Sequence, residues 1–197
     1  MDLLSKLAEK YGTDKCPQLK HPYTPFYYEL LKDRRFNIRK VIEFGIGSAG
    51  VIKGKTKYDK NLKRNYHTGA GLLMWRDFFP KAQIYGADYR DDCMFEDERI
   101  KTFKCDENKR EEVENVIKQT GTDIDLFIDD ASHHMTPQLT LAQIVLPLLD
   151  KKVIYIIEDV FYPRRFPKVF QDLGYNCYVP DLPKKVREDT LVVITKK

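Results

Sequence analysis

The chain has 197 residues, of which 42% are hydrophobic and 32% charged, with 10 glycines and 10 prolines; this is the profile of a single globular domain and excludes a collagenous or disordered chain. Its 34 Lys and Arg against 30 Asp and Glu leave a formal charge of +4, too slight a bias to call for nucleic acid. Four scattered cysteines (Cys16, Cys93, Cys105 and Cys177) form no CxxC pair, which argues against structural zinc or a disulfide framework. The longest apolar run, Val153–Ile157, is far short of the ~20 residues that span a bilayer. With no apolar signal core in MDLLSKLAEKYG, the expectation is a cytoplasmic protein without membrane contact, in a host's cytoplasm should the Lys- and Tyr-rich composition reflect a viral gene.

Leu3, Leu4, Leu7, Ala8 and Tyr11 recur at helical spacing and predict an opening helix that breaks at Gly12–Lys15. After His21-Pro22-Tyr23-Thr24-Pro25 a second helix is predicted from Phe26 to about Lys32,. Apolar strands then alternate with helices: Lys40–Phe44, Gln83–Ala87, Ile100–Cys105, Leu126–Asp129 and Val153–Ile157 as strands, with helices at about Gly71–Phe79, Lys109–Thr120 and Pro137–Leu148. A last helix near Pro167–Leu173 precedes strands Cys177–Val179 and Leu191–Thr195, which have no helix signal between them and should pair antiparallel. The expected fold is α/β: a Rossmann-like, doubly wound, mostly parallel seven-stranded sheet with a C-terminal antiparallel strand pair and a short N-terminal helical extension. One domain should span 1–197, with the helical and aromatic extension at 1–37 and the core at 38–197. A basic insertion at 51–68, with six Lys or Arg and a single acid, Asp59, reads either as a solvated loop or as a loop over the active site.

The first strand runs into Glu43-Phe44-Gly45-Ile46-Gly47-Ser48-Ala49-Gly50, formally GxGxxG. Glycines there let the chain turn sharply and a ligand approach the main chain. A dinucleotide site would start a helix at once and carry an acid ~20 residues on, whereas Asn65-Tyr66-His67-Thr68 holds none. Glu43 instead places a carboxylate at the strand tip, where it suits a cationic group. Asp88 ends the second strand and can accept from both ribose hydroxyls, and Asp106 ends the third within reach of an adenine edge. Three acids at successive strand tips point to an adenosyl ligand.

The fourth strand delivers Asp129-Asp130-Ala131-Ser132-His133-His134 and the fifth Glu158-Asp159. Four carboxylates on adjacent strand tips repel one another unless a cation holds them, and oxygen ligands favour Mg²⁺, Mn²⁺ or Ca²⁺ over zinc. His133, three residues after Asp130, could take a proton from a substrate hydroxyl near neutrality; His134 competes for that role.

The VIEFGIG turn, the GLLMWRDFFPKAQIYGADYRDD stretch, the IDDASHH strand tip and the YIIEDV strand resemble class I S-adenosylmethionine-dependent methyltransferases, with the nearest likeness to metal-dependent sugar O-methyltransferases of the mycinamicin and macrocin type. The opening KYGTDK with His21 and the Tyr23–Tyr28 aromatics is similar to the start of that domain. The resemblance implies that Glu43, Gly45 and Gly47 line the methionine part of S-adenosylmethionine, Asp88 its ribose and Asp106 its adenine, with Asp129 in the same cofactor-binding set. It further implies that Asp130, Glu158 and Asp159 bind Mg²⁺, with Mn²⁺ as a substitute, and that His133 is the base acting on a sugar diol. Ala131 departs from the family's usual glycine. The expected activity is methyl transfer to a hydroxyl of a deoxyhexose such as rhamnose, in a glycan or glycoside. The rival readings are a metal-dependent glycosyltransferase and a nucleic-acid methyltransferase, which the Asp129–Ser132 sequence fits poorly. Exposed aromatics near Tyr23–Tyr28 suggest a substrate wall or an interface in a homo-oligomer.

Overall fold

A computed structural model describes residues 1–50, 66–183, 187 and 189–197. Most of the basic insertion expected at 51–68 therefore lies outside the described residues. The chain builds one mixed sheet of eight strands, β1 (Lys40–Phe44), β2 (Gln83–Asp88), β3 (Glu96–Asp97), β4 (Ile100–Lys104), β5 (Leu126–Asp129), β6 (Ile154–Ile157), β7 (Tyr175–Tyr178) and β8 (Val192–Lys196), in the order β3-β4-β2-β1-β5-β6-β8-β7. The five central strands from β4 to β6 run parallel. As expected, β7 pairs antiparallel with β8, which returns antiparallel against β6.

The sheet has one strand more than the seven expected. β3 is a two-residue edge strand that pairs antiparallel with β4, Glu96 opposite Lys101 and Asp97 opposite Ile100. The turn closes through Arg99 at φ 58°. Two exposed acids have no apolar alternation to announce a strand.

Alternation along the strands divides the core. Val41, Ile84, Leu126 and Ile128 face one layer, packed with Leu4, Trp75 and Phe78. Ile42, Phe44, Phe127 and Tyr155 face the other, packed with Val113, Val145 and Phe166. The first layer is covered by α1 (Leu3–Tyr11), α2 (Tyr23–Leu31) and α3 (Ala70–Phe78), the second by α4 (Arg110–Thr120), α5 (Met135–Leu148) and α6 (Phe166–Asp172). The N-terminal segment thus supplies two of the three helices of one covering layer.

Helix boundaries follow local chemistry. Asp2 caps α1 by accepting from the Ser5 backbone N–H at 2.8 Å, and Gly12 ends it in the left-handed conformation, φ 75°,. α2 starts at Tyr23, earlier than the expected Phe26, because Pro25 is tolerated in a first turn,. All four cysteines are buried and free. No described helix is long and apolar enough to cross a membrane.

Candidate functional site

The strand order reverses between β1 and β5, so the crevice outside their carboxyl ends is where an open α/β sheet offers a binding site,. β1 leaves the sheet through Gly45 at φ 91° and Gly47 at φ 75°, a region that L side chains rarely adopt. Gly45 is required for a second reason: a Cβ there would sit 2.1 Å from the Asp130 carbonyl oxygen. The glycine turn and the β5 tip are thereby pressed together.

Asp88, at the end of β2, holds the turn from beside it. Its Oδ2 accepts from the Ile46 N–H at 2.9 Å and the Gly47 N–H at 3.3 Å, and its Oδ1 from the Arg90 N–H at 3.0 Å. Glu43 is buried, with its Oε2 accepting from Trp75 Nε1 at 2.6 Å. Burial raises its pKa, and the nearby Lys15 charge opposes that rise. The crevice continues past Asp88 into a smaller hollow lined by Tyr89, Cys105, Glu107 and Ala131.

Asp106 is not brought to this crevice. Its Oδ1 accepts from the Asn108 backbone and side chain at 3.0 and 3.1 Å, and it lines a separate shallow hollow with Lys104, Lys109 and Glu112. Glu107, one residue on, takes the inward position. Asp129 is also off the crevice surface, buried beneath the β5 tip with Oδ2 accepting from the Tyr155 hydroxyl at 3.3 Å. Burial pushes its carboxyl up to about 8.

The remaining acids converge, and the cation among them is one the sequence reasoning missed. Lys15, on the loop between α1 and α2, is buried with Nζ 2.6 Å from Asp130 Oδ2, 2.8 Å from Glu158 Oε2 and 3.5 Å from Glu43 Oε1. Burial alone would lower the lysine's pKa. The carboxylates of Asp130, Glu158 and Glu43 outweigh it and hold the ammonium charged well above its usual range. The loop is locked by the Tyr23 and Thr24 N–H groups, which donate to the Lys15 carbonyl at 3.1 and 3.0 Å.

Tyr27 donates to Glu158 Oε1 at 2.6 Å and Tyr23 to Asp159 Oδ1 at 2.5 Å. The aromatics read as an exposed wall or interface are therefore corrected at these two positions: Tyr23 and Tyr27 are fully buried, anchoring carboxylates from below. No periodic signal distinguishes Lys15, Tyr23 or Tyr27. Only their place in the KYGTDK opening and the aromatic stretch after it marked the segment.

Asp159 adopts φ 54°, a conformation rare for a non-glycine residue and concentrated at functional sites. The turn sends neighbouring carboxylates different ways. Glu158 points inward to Lys15 and Tyr27, while Asp159 faces the crevice, its Oδ2 3.4 Å from His133 Nε2. His133 Nε2 also lies 3.7 Å from Asp130 Oδ1. Ligand-capable atoms of Asp130, His133 and Asp159 fall within 4.8 Å of one another, while Glu158 stands apart from that group. Burial lowers the His133 pKa, but the neighbouring carboxylates of Asp130 and Asp159 outweigh it and raise the net value. His134 is exposed and forms the N-cap position of α5. The crevice thus combines a flexible-backbone cradle with oxygen donors and a surplus of negative charge, which suits a cationic ligand and a hard divalent ion.

This is the fold of an S-adenosylmethionine-dependent methyltransferase. The MycE methyltransferase of the mycinamycin biosynthetic pathway, solved in complex with Mg and SAH, superposes with a TM-score of 0.72 at 24% identity, covering 98% of this chain and 54% of that one. A putative caffeoyl-CoA O-methyltransferase from Staphylococcus aureus gives 0.60 at 14% identity, covering 100% and 93%. In sequence the chain is similar to curated O-methyltransferases. It is 32% identical over 158 residues to mycinamicin VI 2''-O-methyltransferase of Micromonospora griseorubida, covering 80% of this chain and 36% of that protein. It is 30% identical, covering 80% and 37%, to the 8-demethyl-8-(2-methoxy-alpha-L-rhamnosyl)-tetracenomycin-C 3'-O-methyltransferase of Streptomyces olivaceus. The chain spans little more than a third of the length of these curated relatives. No family model matches the sequence.

Proposed function

We propose that the protein is an S-adenosylmethionine- and Mg²⁺-dependent O-methyltransferase whose acceptor is a sugar hydroxyl, a deoxyhexose such as rhamnose in a glycan or glycoside. The observation that carries this reading is the convergence of Asp130, His133 and Asp159 within 4.8 Å beside a glycine turn at the sheet's switch point. The relatives named for acting on rhamnosyl and other glycosides support the acceptor class.

In this reading Glu43, Gly45, Gly47 and Asp88 hold the cofactor, its adenine entering the hollow by Glu107. Asp130 and Asp159 hold the metal. Glu158, with one oxygen on Lys15 and the other on Tyr27, supports Asp130 through the shared ammonium and lies outside the metal-holding group. The bound ion would lower the pKa of an acceptor hydroxyl and fix its position, and S-adenosylmethionine would supply the methyl group. His133 accepts the hydroxyl proton at Nε2, and the Asp130 and Asp159 carboxylates beside that nitrogen stabilise the imidazolium that forms. Methyl transfer from a sulfonium is an in-line displacement, so the chain's main task is alignment of nucleophile and methyl.

Calorimetric titration of S-adenosylhomocysteine, then of Mg²⁺ into the binary complex, tests the reading. Both should bind the wild type, and Asp130→Asn should keep the first and lose the second. His133→Ala should bind both while methyl transfer falls by about two orders of magnitude. Binding of a nucleoside diphosphate in place of S-adenosylhomocysteine would overturn the assignment in favour of glycosyl transfer.

A further inference from the structure

A second imidazole reaches the same crevice, and nothing in the proposed chemistry uses it. His21 is buried on the loop after Lys15, and its Nδ1 lies 2.6 Å from Oδ1 of the fully buried Asp189, just before β8. A carboxylate accepts, so Nδ1 carries the proton. The ring also stacks on Tyr23 with centroids 4.9 Å apart and planes 4° from parallel. Its orientation is therefore fixed by two partners.

Its other nitrogen is left over. Nε2 is one of three buried side-chain polar atoms with no hydrogen-bond partner among the described residues, and it belongs to the one of those residues that lines the crevice. Around it stand Asp14 Oδ2 and Asp159 Oδ2, each 3.7 Å away, too far for a hydrogen bond. Lys20 Nζ is 3.5 Å from the same Asp14 oxygen. Nε2 is thus the atom without a partner here, lying between the Asp14 and Asp159 carboxylates at the crevice. Buried polar atoms are rarely left unpaired, and what would satisfy Nε2 is a hydroxyl brought by a ligand, which can donate or accept.

Its location says which ligand. Asp159 Oδ2 sits between the two imidazoles, 3.4 Å from His133 Nε2 and 3.7 Å from His21 Nε2. An acceptor whose reacting hydroxyl meets His133 presents a neighbouring hydroxyl toward His21. We infer that His21 is an acceptor-binding residue whose Nε2 forms a hydrogen bond with a second, non-reacting hydroxyl of a polyhydroxylated acceptor, with Asp189 as the positioning residue that fixes its ring. This inference rests on the methyltransferase reading and extends it by naming the side chain of this chain that reads the non-reacting hydroxyl.

The test uses methyl α-L-rhamnopyranoside and its three monodeoxy analogues, observed by ligand-detected NMR with the full chain, S-adenosylhomocysteine and Mg²⁺. His21→Asn keeps a donor for Asp189 but places nothing at the Nε2 position; His21→Gln restores a polar atom there. Wild type should bind the parent glycoside and lose about tenfold in affinity or more for one monodeoxy analogue. His21→Asn should bind S-adenosylhomocysteine and Mg²⁺ as wild type does, bind the parent about tenfold more weakly, and no longer discriminate against that analogue. His21→Gln should recover part of the discrimination. Equal discrimination in wild type and His21→Asn, or no glycoside binding by a wild type that takes up S-adenosylhomocysteine and Mg²⁺, would overturn the inference. A wild type that binds neither removes the methyltransferase reading, and this inference falls with it.

Discussion

Lys15 does at the residue scale what a metal was expected to do: it neutralises carboxylates that folding forces together. Glu43, Asp130 and Glu158 arrive from three strand ends, and a single buried ammonium lies within 3.5 Å of each. Removing one partner from a buried ion cluster leaves charge without compensation. Lys15→Met should therefore cost about 3–5 kcal/mol of stability, measured by urea denaturation at neutral pH. Millimolar Mg²⁺ should return part of that loss, because a divalent ion can take over some of the compensation. An unchanged midpoint would mean that the carboxylates protonate or relax without penalty. The acids were legible in the sequence because they end apolar strands whose direction is fixed by the parallel sheet. Lys15 and His21 were not, since they sit on an irregular loop whose destination depends on where α1 and α2 pack. Asp106 shows the limit from the other side: a strand-tip position gives the edge of the sheet but not the side-chain direction, and its neighbour Glu107 faces the crevice instead.

Among the elements, the attachment of α1 decides whether that loop is held in place. α1 meets α3 at Asp77, whose carboxylate accepts from the Tyr11 hydroxyl and from Lys10 Nζ at 3.0 Å, with Arg76 Nη2 at 2.9 Å. Burial raises the Asp77 pKa, but these hydrogen bonds outweigh it and bring the value down to about 2 from 3.8. A carboxyl with a depressed folded-state pKa contributes stability that is full above about pH 4 and disappears as pH falls through about 2. Asp77→Asn should cost about 1 kcal/mol at pH 7, an amount kept small by the site's partial exposure. The gap to wild type should close in denaturation curves taken toward pH 2, and a gap independent of pH would remove the ionic contribution. The same scale explains what the apolar pattern missed. The major strands read clearly as hydrophobic runs, whereas β3 consists of two exposed acids held by pairing with β4.

At the scale of the whole molecule, residues from both ends of the chain line or support the crevice among the described residues. Lys15 and His21 come from before the first strand, and Asp189 from just before the last. The N-terminal segment that looked like an extension is thus integral to the site. Its curated relatives are longer by more than half their own length, and in the proposed reading the cofactor and metal positions divide between the glycine turn and the β5 and β6 tips of this chain. That division is the central claim, and anomalous diffraction from crystals grown with S-adenosylhomocysteine and Mn²⁺ tests it most directly. The account predicts one manganese peak bounded by the carboxylates of Asp130 and Asp159, with the cofactor product lying along Glu43, Gly45, Gly47 and Asp88. No peak at Asp130, or S-adenosylhomocysteine bound away from the glycine turn, would contradict it.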